Sequence, residues 1–303
     1  MKLQLCYKNF VTKAITFTID DGNLPMDEKF INIVSPYGIR GTFNLTNAKK
    51  LSAEEYRAFY KGNGIANHCK GHPMVFVPGK EYAFSKDPLN PTNGDEALLY
   101  PTDDPRVFRC YPHTWRTYTD RDTYYALSEI SREELLDVFG ESAVKDFVWP
   151  HGQQKDPVLH ERLKKRYRSI RKTGSLIDST GFSLPQDMYA WTYNATHDNL
   201  LVAAELYEKY PDDGTLKFFS LGVHSVDFET AGKWEDLQRF AERMGGRPDT
   251  YYYASVGEIF DYAEAVSALR VDDGHIENPT DTEIYLIVDG TRITLPPHSE
   301  YTA

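Results

Sequence analysis

Larger apolar residues alternate with small ones through Ala14-Ile15-Thr16-Phe17-Thr18-Ile19, and the run stops at Asp20-Asp21-Gly22. A period of two marks a strand, and acidic residues followed by glycine mark its exit into a loop. Met26 to Val34 then reads as a helix and Gly41 to Leu45 as a second strand, a β-α-β opening. Ser52-Ala53-Glu54-Glu55 has capping-box spacing and predicts a helix to about Lys61. Gly64-Ile65-Ala66 is a short apolar strand leading into Asn67-His68-Cys69-Lys70-Gly71-His72-Pro73.

From about 77 to 126 the chain is rich in Pro, Asn, Asp and Tyr without a sustained period, too long for an ordinary connection, and reads as a structured insertion. Ser131-Arg132-Glu133-Glu134 predicts a helix to Phe139, Asp146 to Trp149 a strand ending at Pro150-His151-Gly152, and Asp156-Pro157 the start of a helix to about Arg171. Asn199 to Tyr210 is an amphipathic helix, Lys217 to Val223 an apolar strand ending at His224, and Trp234 to Met244 and Ser255 to Leu269 are further helices. Beyond Arg270, Glu283 to Val288 and Thr291 to Leu295 flank Asp289-Gly290 as a β-hairpin. The domain reading is a barrel-like unit over 1–270, carrying the insertion, and a β appendage over 271–303.

Composition narrows the class. With 303 residues, 41% hydrophobic and 26% charged, the chain can bury a sizeable core. A formal charge of −11 lacks the basic clustering that nucleic acid requires, and the local basic run Arg162 to Arg171 reads as a solvated helix face. Cys6, Cys69 and Cys110 are an odd set with no paired spacing, which predicts neither a disulfide framework nor a thiolate zinc site. No apolar run has signal-peptide length or the roughly 20 residues that span a bilayer, so a cytoplasmic location is the expectation, or a secreted one if a leader has been removed. The 14% aromatic content suits sugar faces.

The strand ends carry the chemistry: Asp20 and Asp21, His68 and His72, His151, and His224. In a parallel barrel such ends open onto one face. Taken alone, Asp-Asp-Gly also fits a solvated turn, and His224 a satisfied core histidine. His68 and His72 stand one helical turn apart, so both can reach one ion, and an Asp from another strand end would complete three ligands with a position left for water. Such an ion suits amide or ester hydrolysis, with the second carboxylate accepting the water's proton and His224 protonating the leaving atom. A two-carboxylate glycosidase fails, since its carboxyls must stand about 5 Å or more apart across a bond, which adjacent residues do poorly.

In their order, Thr18-Ile19-Asp20-Asp21-Gly22, Asn67 to Pro73, Val148-Trp149-Pro150-His151-Gly152 and Leu221-Gly222-Val223-His224-Ser225 resemble the motifs of the polysaccharide deacetylases, carbohydrate esterase family four, with the NodB homology domain. The resemblance spans roughly residues 14 to 265. It implies an α/β fold, a distorted (β/α) barrel, seven-stranded and TIM-like, here with a C-terminal β-hairpin appendage. It implies that Asp21, His68 and His72 hold one divalent metal ion, zinc first, with cobalt, nickel or manganese as alternatives. Asp20 is then the base, His224 the acid, and the backbone N–H of His151 an oxyanion donor. Trp149, Trp191 and His197 are expected to line the substrate site. The implied activity is that of a hydrolase removing acetyl groups from an N- or O-acetylated sugar or polysaccharide; the alternative is a binding relic of the same fold. The family usually has Ser or Thr where Cys69 stands and an aromatic where His151 stands. Many members carry, where Val148 stands, the Arg that partners the base, which leaves that partner unassigned. The insertion, with His113 and Trp115, is expected to form a substrate wall or a packed surface lobe.

Overall fold

The computed structural model describes residues 1–84, 98–111, 116–141, 143–152, 155–173, 181–272 and 274–302. Its centre is a parallel sheet of seven strands: β1 (Lys13–Asp20), β2 (Thr42–Leu45), β3 (Gly64–Asn67), β4 (Asp146–Val148), β5 (Ser169–Arg171), β6 (Lys217–His224) and β7 (Tyr251–Tyr253). The order is β5-β4-β3-β2-β1-β6, with β7 paired to the first residues of β1. Every pairing is parallel, so all seven strands exit on one face. This is the distorted (β/α) barrel.

The alternation in β1 explains its place. Ile15, Phe17 and Ile19 pack outward with Phe30, Val34 and Phe43 in the main core. Thr16, Thr18 and Asp20 belong to the opposite face and are also buried, so the barrel interior is lined by small polar groups. The open side between β5 and β6 is bridged by an irregular segment. Ile170 N donates to Met188 O and Lys172 N to Trp191 O, while Gly222 N donates to Ala195 O and Asn194 N to Ser220 O. Residues 188–195 thus stand where an eighth strand would close the barrel. Gly222 is required there, because a Cβ would come 2.0 Å from Cδ1 of Tyr193.

Several expectations are corrected. The chain is helical from Arg121 to Phe139, capped by Asp120 rather than starting at Ser131, whose hydroxyl instead donates to Thr46 O at 2.9 Å. The helix opened by Asp156 ends at Lys164, and the supposed solvated face continues into β5, where Arg171 is 1% exposed. In the insertion Thr117–Thr119, Val107–Tyr111, Leu98–Pro101 and Ala83–Phe84 form a five-stranded sheet with Met74–Val75, which precedes it; His113 and Trp115 lie outside the described residues. Both the Ser52/Glu55 and the Ser255/Glu258 capping boxes form as read.

The appendage is more than a hairpin. Ile284–Val288 pairs with Thr291–Leu295 on one side and with Leu3–Cys6 on the other, and a second sheet joins Arg270–Asp272, His275–Asn278 and Ser299–Thr302. Ile276, Ile284, Leu286, Val288 and Leu295 share one core with Tyr7, Phe218, Ile259 and Phe260, which makes the appendage part of the barrel's packing. Among the described residues no helix is long and apolar enough to cross a membrane. Leu286→Ala, removing a side chain with 0% exposure at this junction, is expected to lower stability by about 2–5 kcal/mol. A urea midpoint unchanged from wild type would show that the appendage packs independently.

Candidate metal centre and its surroundings

β1 ends in the register that builds the site. Asp20 lies opposite Asn44 on β2 and opposite His224 on β6, so three polar side chains meet across adjacent strands. Asp20 is buried and clamped from two sides. Arg171 Nη2 donates to Oδ1 at 2.5 Å and to Oδ2 at 2.6 Å, and Asn44 Nδ2 donates to Oδ1 at 2.6 Å. Burial alone would raise the carboxyl's pKa, but the Arg171 guanidinium, with His68 and His224, holds it below the usual range. Arg171 is paired in register with Val148, one strand over from the expected position. Its guanidinium carbon lies 5.3 Å from the centroid of the Tyr193 ring beneath it.

Asp21 turns out of the barrel with φ 78 and meets two imidazoles. Its Oδ1 lies 3.4 Å from His68 Nε2 and 3.5 Å from His72 Nε2, and the two nitrogens are 3.1 Å apart. His68 is 1% exposed, and its Nδ1 stands 2.9 Å from Val148 O. A carbonyl only accepts, so Nδ1 carries a proton, and Nε2 is the nitrogen turned toward Asp21. Burial first, then His68, drags the His72 imidazole down to about 3, leaving it neutral. The His pair does not sit on a helix, as the spacing had predicted. It brackets a tight turn in which Cys69 (φ 54), Gly71 (φ 75) and His72 (φ 50) are all left-handed. Asn67 Oδ1 accepts from Cys69 N and His72 N donates to Cys69 O, which fixes the turn.

Three possible ligand atoms, two imidazole nitrogens and one carboxylate oxygen, thus converge. A tetrahedral zinc with ligands at about 2.0–2.1 Å holds its donors about 3.3 Å from one another, the spacing seen here. The set fits a divalent ion.

The surrounding cavity, about 600 Å³, is lined by Asp20, Asp21, His68, His72, His151 and His224, with Thr46, Asn47, Gly71, Gly152, Thr173 and Trp149. His224 Nε2 is 3.7 Å from Asp21 Oδ2, and its Nδ1 is 3.0 Å from Asp227 Oδ2. The Asp227 hydrogen bond, against burial and aided by Asp20 and Asp21, pushes the His224 imidazole up to about 9. His151, at φ 54, stacks edge-on against His72 with centroids 4.3 Å apart. Trp149 touches the cavity but is 1% exposed and packs among Tyr124, Phe147 and His160. Trp191 is 3% exposed against Phe218 and Phe260, and His197 packs on Phe228; the cavity lining contains neither, contrary to expectation. Their segment is spent on closing the barrel.

Behind the Asp20-Asp21-Gly22 exit, Asp27 is fully buried in the first turn of helix Leu24–Val34. Its Oδ1 accepts from Ser225 Oγ at 2.6 Å and its Oδ2 from Tyr60 Oη at 2.8 Å. Burial, reinforced by Asp21 and opposed by those two donors and Lys50, raises its carboxyl to about 6.

Two outcomes follow for stability. Arg171→Met leaves Asp20 buried without its cation and is expected to cost about 3–5 kcal/mol, whereas Arg171→Met with Asp20→Asn recovers most of that loss; additive losses in denaturant would contradict the pairing. Asp27 has a folded pKa above its unfolded one, so the folded state binds the extra proton between about pH 4 and 6. Its contribution therefore worsens as pH rises through that window, by up to roughly 3 kcal/mol. The stability difference between wild type and Asp27→Asn should grow in the variant's favour from pH 4 to 7, and a difference constant with pH would refute the assignment.

No family model matches the chain, and no curated protein does. Among solved structures it is similar to the Xyl-CE4 domain of a multidomain xylanase from the hindgut metagenome of Trinervitermes trinervoides, at 14% identity and TM-score 0.47 over 84% of this chain and 92% of that one. It is similar also to the peptidoglycan deacetylase PdaC from Bacillus subtilis, at 12% identity and TM-score 0.45 over 85% and 94%. A family 4 acetyl xylan esterase from Clostridium thermocellum, in complex with a cobalt ion, matches at 14% identity and TM-score 0.47 over 82% and 91%. What the chain is similar to is a group of family 4 carbohydrate esterases and a peptidoglycan deacetylase.

Proposed function

We propose that the protein is a metal-dependent hydrolase that removes acetyl groups from an N- or O-acetylated carbohydrate. The observation that carries this reading is the convergence, in one open cavity, of a three-donor cluster between a clamped carboxylate and a protonated imidazole. Asp21, His68 and His72 would hold the ion. A bound zinc, cobalt, nickel or manganese ion would supply Lewis-acid polarisation of the acetyl carbonyl and a lowered pKa for a water. Asp20, kept ionised by Arg171, accepts the attacking water's proton. His224, kept charged by Asp227, donates a proton to the departing nitrogen or oxygen. The backbone N–H of His151 stabilises the developing oxyanion. Arg171 takes the part that the motif at Val148 lacks, which answers one of the three departures, at Cys69, Val148 and His151, that favour a binding relic.

Acetate release from a panel of acetylated sugars, with and without added Zn²⁺, tests the activity. Elemental analysis is expected to find one ion per chain in wild type and none in the His68→Ala, His72→Ala double variant; equal metal in both would sink the ligand assignment. Asp20→Asn should keep the ion and lose about 10²–10⁴-fold in turnover. His224→Ala should impair N-acetyl substrates far more than activated esters, whose leaving groups need no proton. Equal impairment on both classes would reassign the acid.

A further inference from the structure

We infer that Asp27 is a positioning residue for His224, its buried carboxylate tying the start of the helix after His224 to the helix after Asp21. The inference rests on the reading of His224 as proton donor. Asp27 is 0% exposed, and among the described residues no lysine or arginine forms an ion pair with it. A buried carboxylate with only neutral donors is an unfavourable way to fill space. What it provides is reach in two directions. One oxygen takes the Tyr60 hydroxyl, and Tyr60 is fixed among Phe43, Phe59, Tyr56 and Phe139. The other takes the hydroxyl of Ser225, which is 0% exposed and next in the chain to His224.

The connection therefore runs from an immobile ring cluster through Tyr60, Asp27 and Ser225 to the backbone of His224. Asp227 sets the rotation of the imidazole, since its Oδ2 accepts from both the ring and the main-chain N–H of His224. It belongs to the same short helix, Ser225–Thr230, and moves with it. Asp27 lies on another element and fixes where that helix begins, hence the 3.7 Å between His224 Nε2 and Asp21 Oδ2. Gly22 keeps this arrangement compact: at φ 68, a Cβ there would press on Leu45 Cδ2 at 2.8 Å, beside the Tyr60 hydroxyl.

The test compares Asp27→Ala, Ser225→Ala and Asp27→Asn with wild type. Asn keeps both links, because hydroxyls donate or accept as needed. In long-range ¹⁵N–¹H spectra the His224 ring signals are expected to shift or broaden in both alanine variants, while those of His275 and His298 on the C-terminal sheets stay put. On an N-acetylated oligosaccharide, kcat should fall about 10–100-fold in the alanine variants, with KM within about threefold, and the Asn variant should stay within about threefold of wild type. Activated esters should lose far less, as a merely structural defect would not discriminate by leaving group. His224 signals unmoved in a folded Ser225→Ala or Asp27→Ala protein, or equal losses on both substrate classes, would overturn the inference. A wild type that releases no acetate would defeat the hydrolase reading instead, and the ring spectra would still decide whether Asp27 positions His224.

Discussion

The ion pair between Asp20 and Arg171 is the interaction on which the upper half of the barrel depends. In the sheet order, β1 and β5 are separated by three other strands, so this contact crosses the interior rather than joining neighbours. Such a pair contributes little net stability, since removing two charges from water offsets most of their attraction, but it specifies geometry strongly because either partner alone would be stranded. The geometry propagates downward. Arg171 rests on Tyr193, and Tyr193 lies against the bare backbone of Gly222, so the sixth strand, the closing segment and the carboxylate are held in one stack.

Around this strut the backbone is bent into unusual conformations. Asp21, Cys69, His72 and His151 are four of the eight non-glycine residues with positive φ among the described residues, a conformation unfavourable by roughly 1–2 kcal/mol for most side chains. Cys69 and His72 persist there because the turn between the histidines is pinned by Asn67, itself donating to Ser128 O and the Tyr167 hydroxyl. The turn sets the two imidazoles at fixed spacing before any ligand arrives.

Much of this was legible in the sequence, and the failures have physical causes. β1, β3 and β6 are apolar runs that end in, or lead directly into, titratable residues, and their order exposed Asp20, Asp21, His68, His72 and His224. Arg171 was hidden because Ser169-Ile170-Arg171 is only three residues long, too short for periodicity, and follows a basic helix whose charge pattern seemed to continue through it. Residues 188–195 close the barrel through scattered backbone bonds, which leave no periodic trace, and so Trp191 looked available for a ligand when it was needed for packing. The Ser131 capping signal was genuine in spacing but lost to Asp120, eleven residues earlier, whose carboxylate accepts from both Asp122 N and Thr123 N.

The pairing of Leu3–Cys6 with Ile284–Val288 has a temporal side. Cys6 meets Tyr285 and Leu3 meets Val288, partners nearly the whole chain apart. At roughly 5–20 residues per second of synthesis, the first strand waits on the order of tens of seconds for its mate. During that interval Leu3 and Leu5 lack their partner strand on a chain whose Asp21, His68 and His72 have long been synthesised. The nascent protein therefore exposes an unpaired edge at the end of the barrel opposite the Asp21, His68 and His72 cluster.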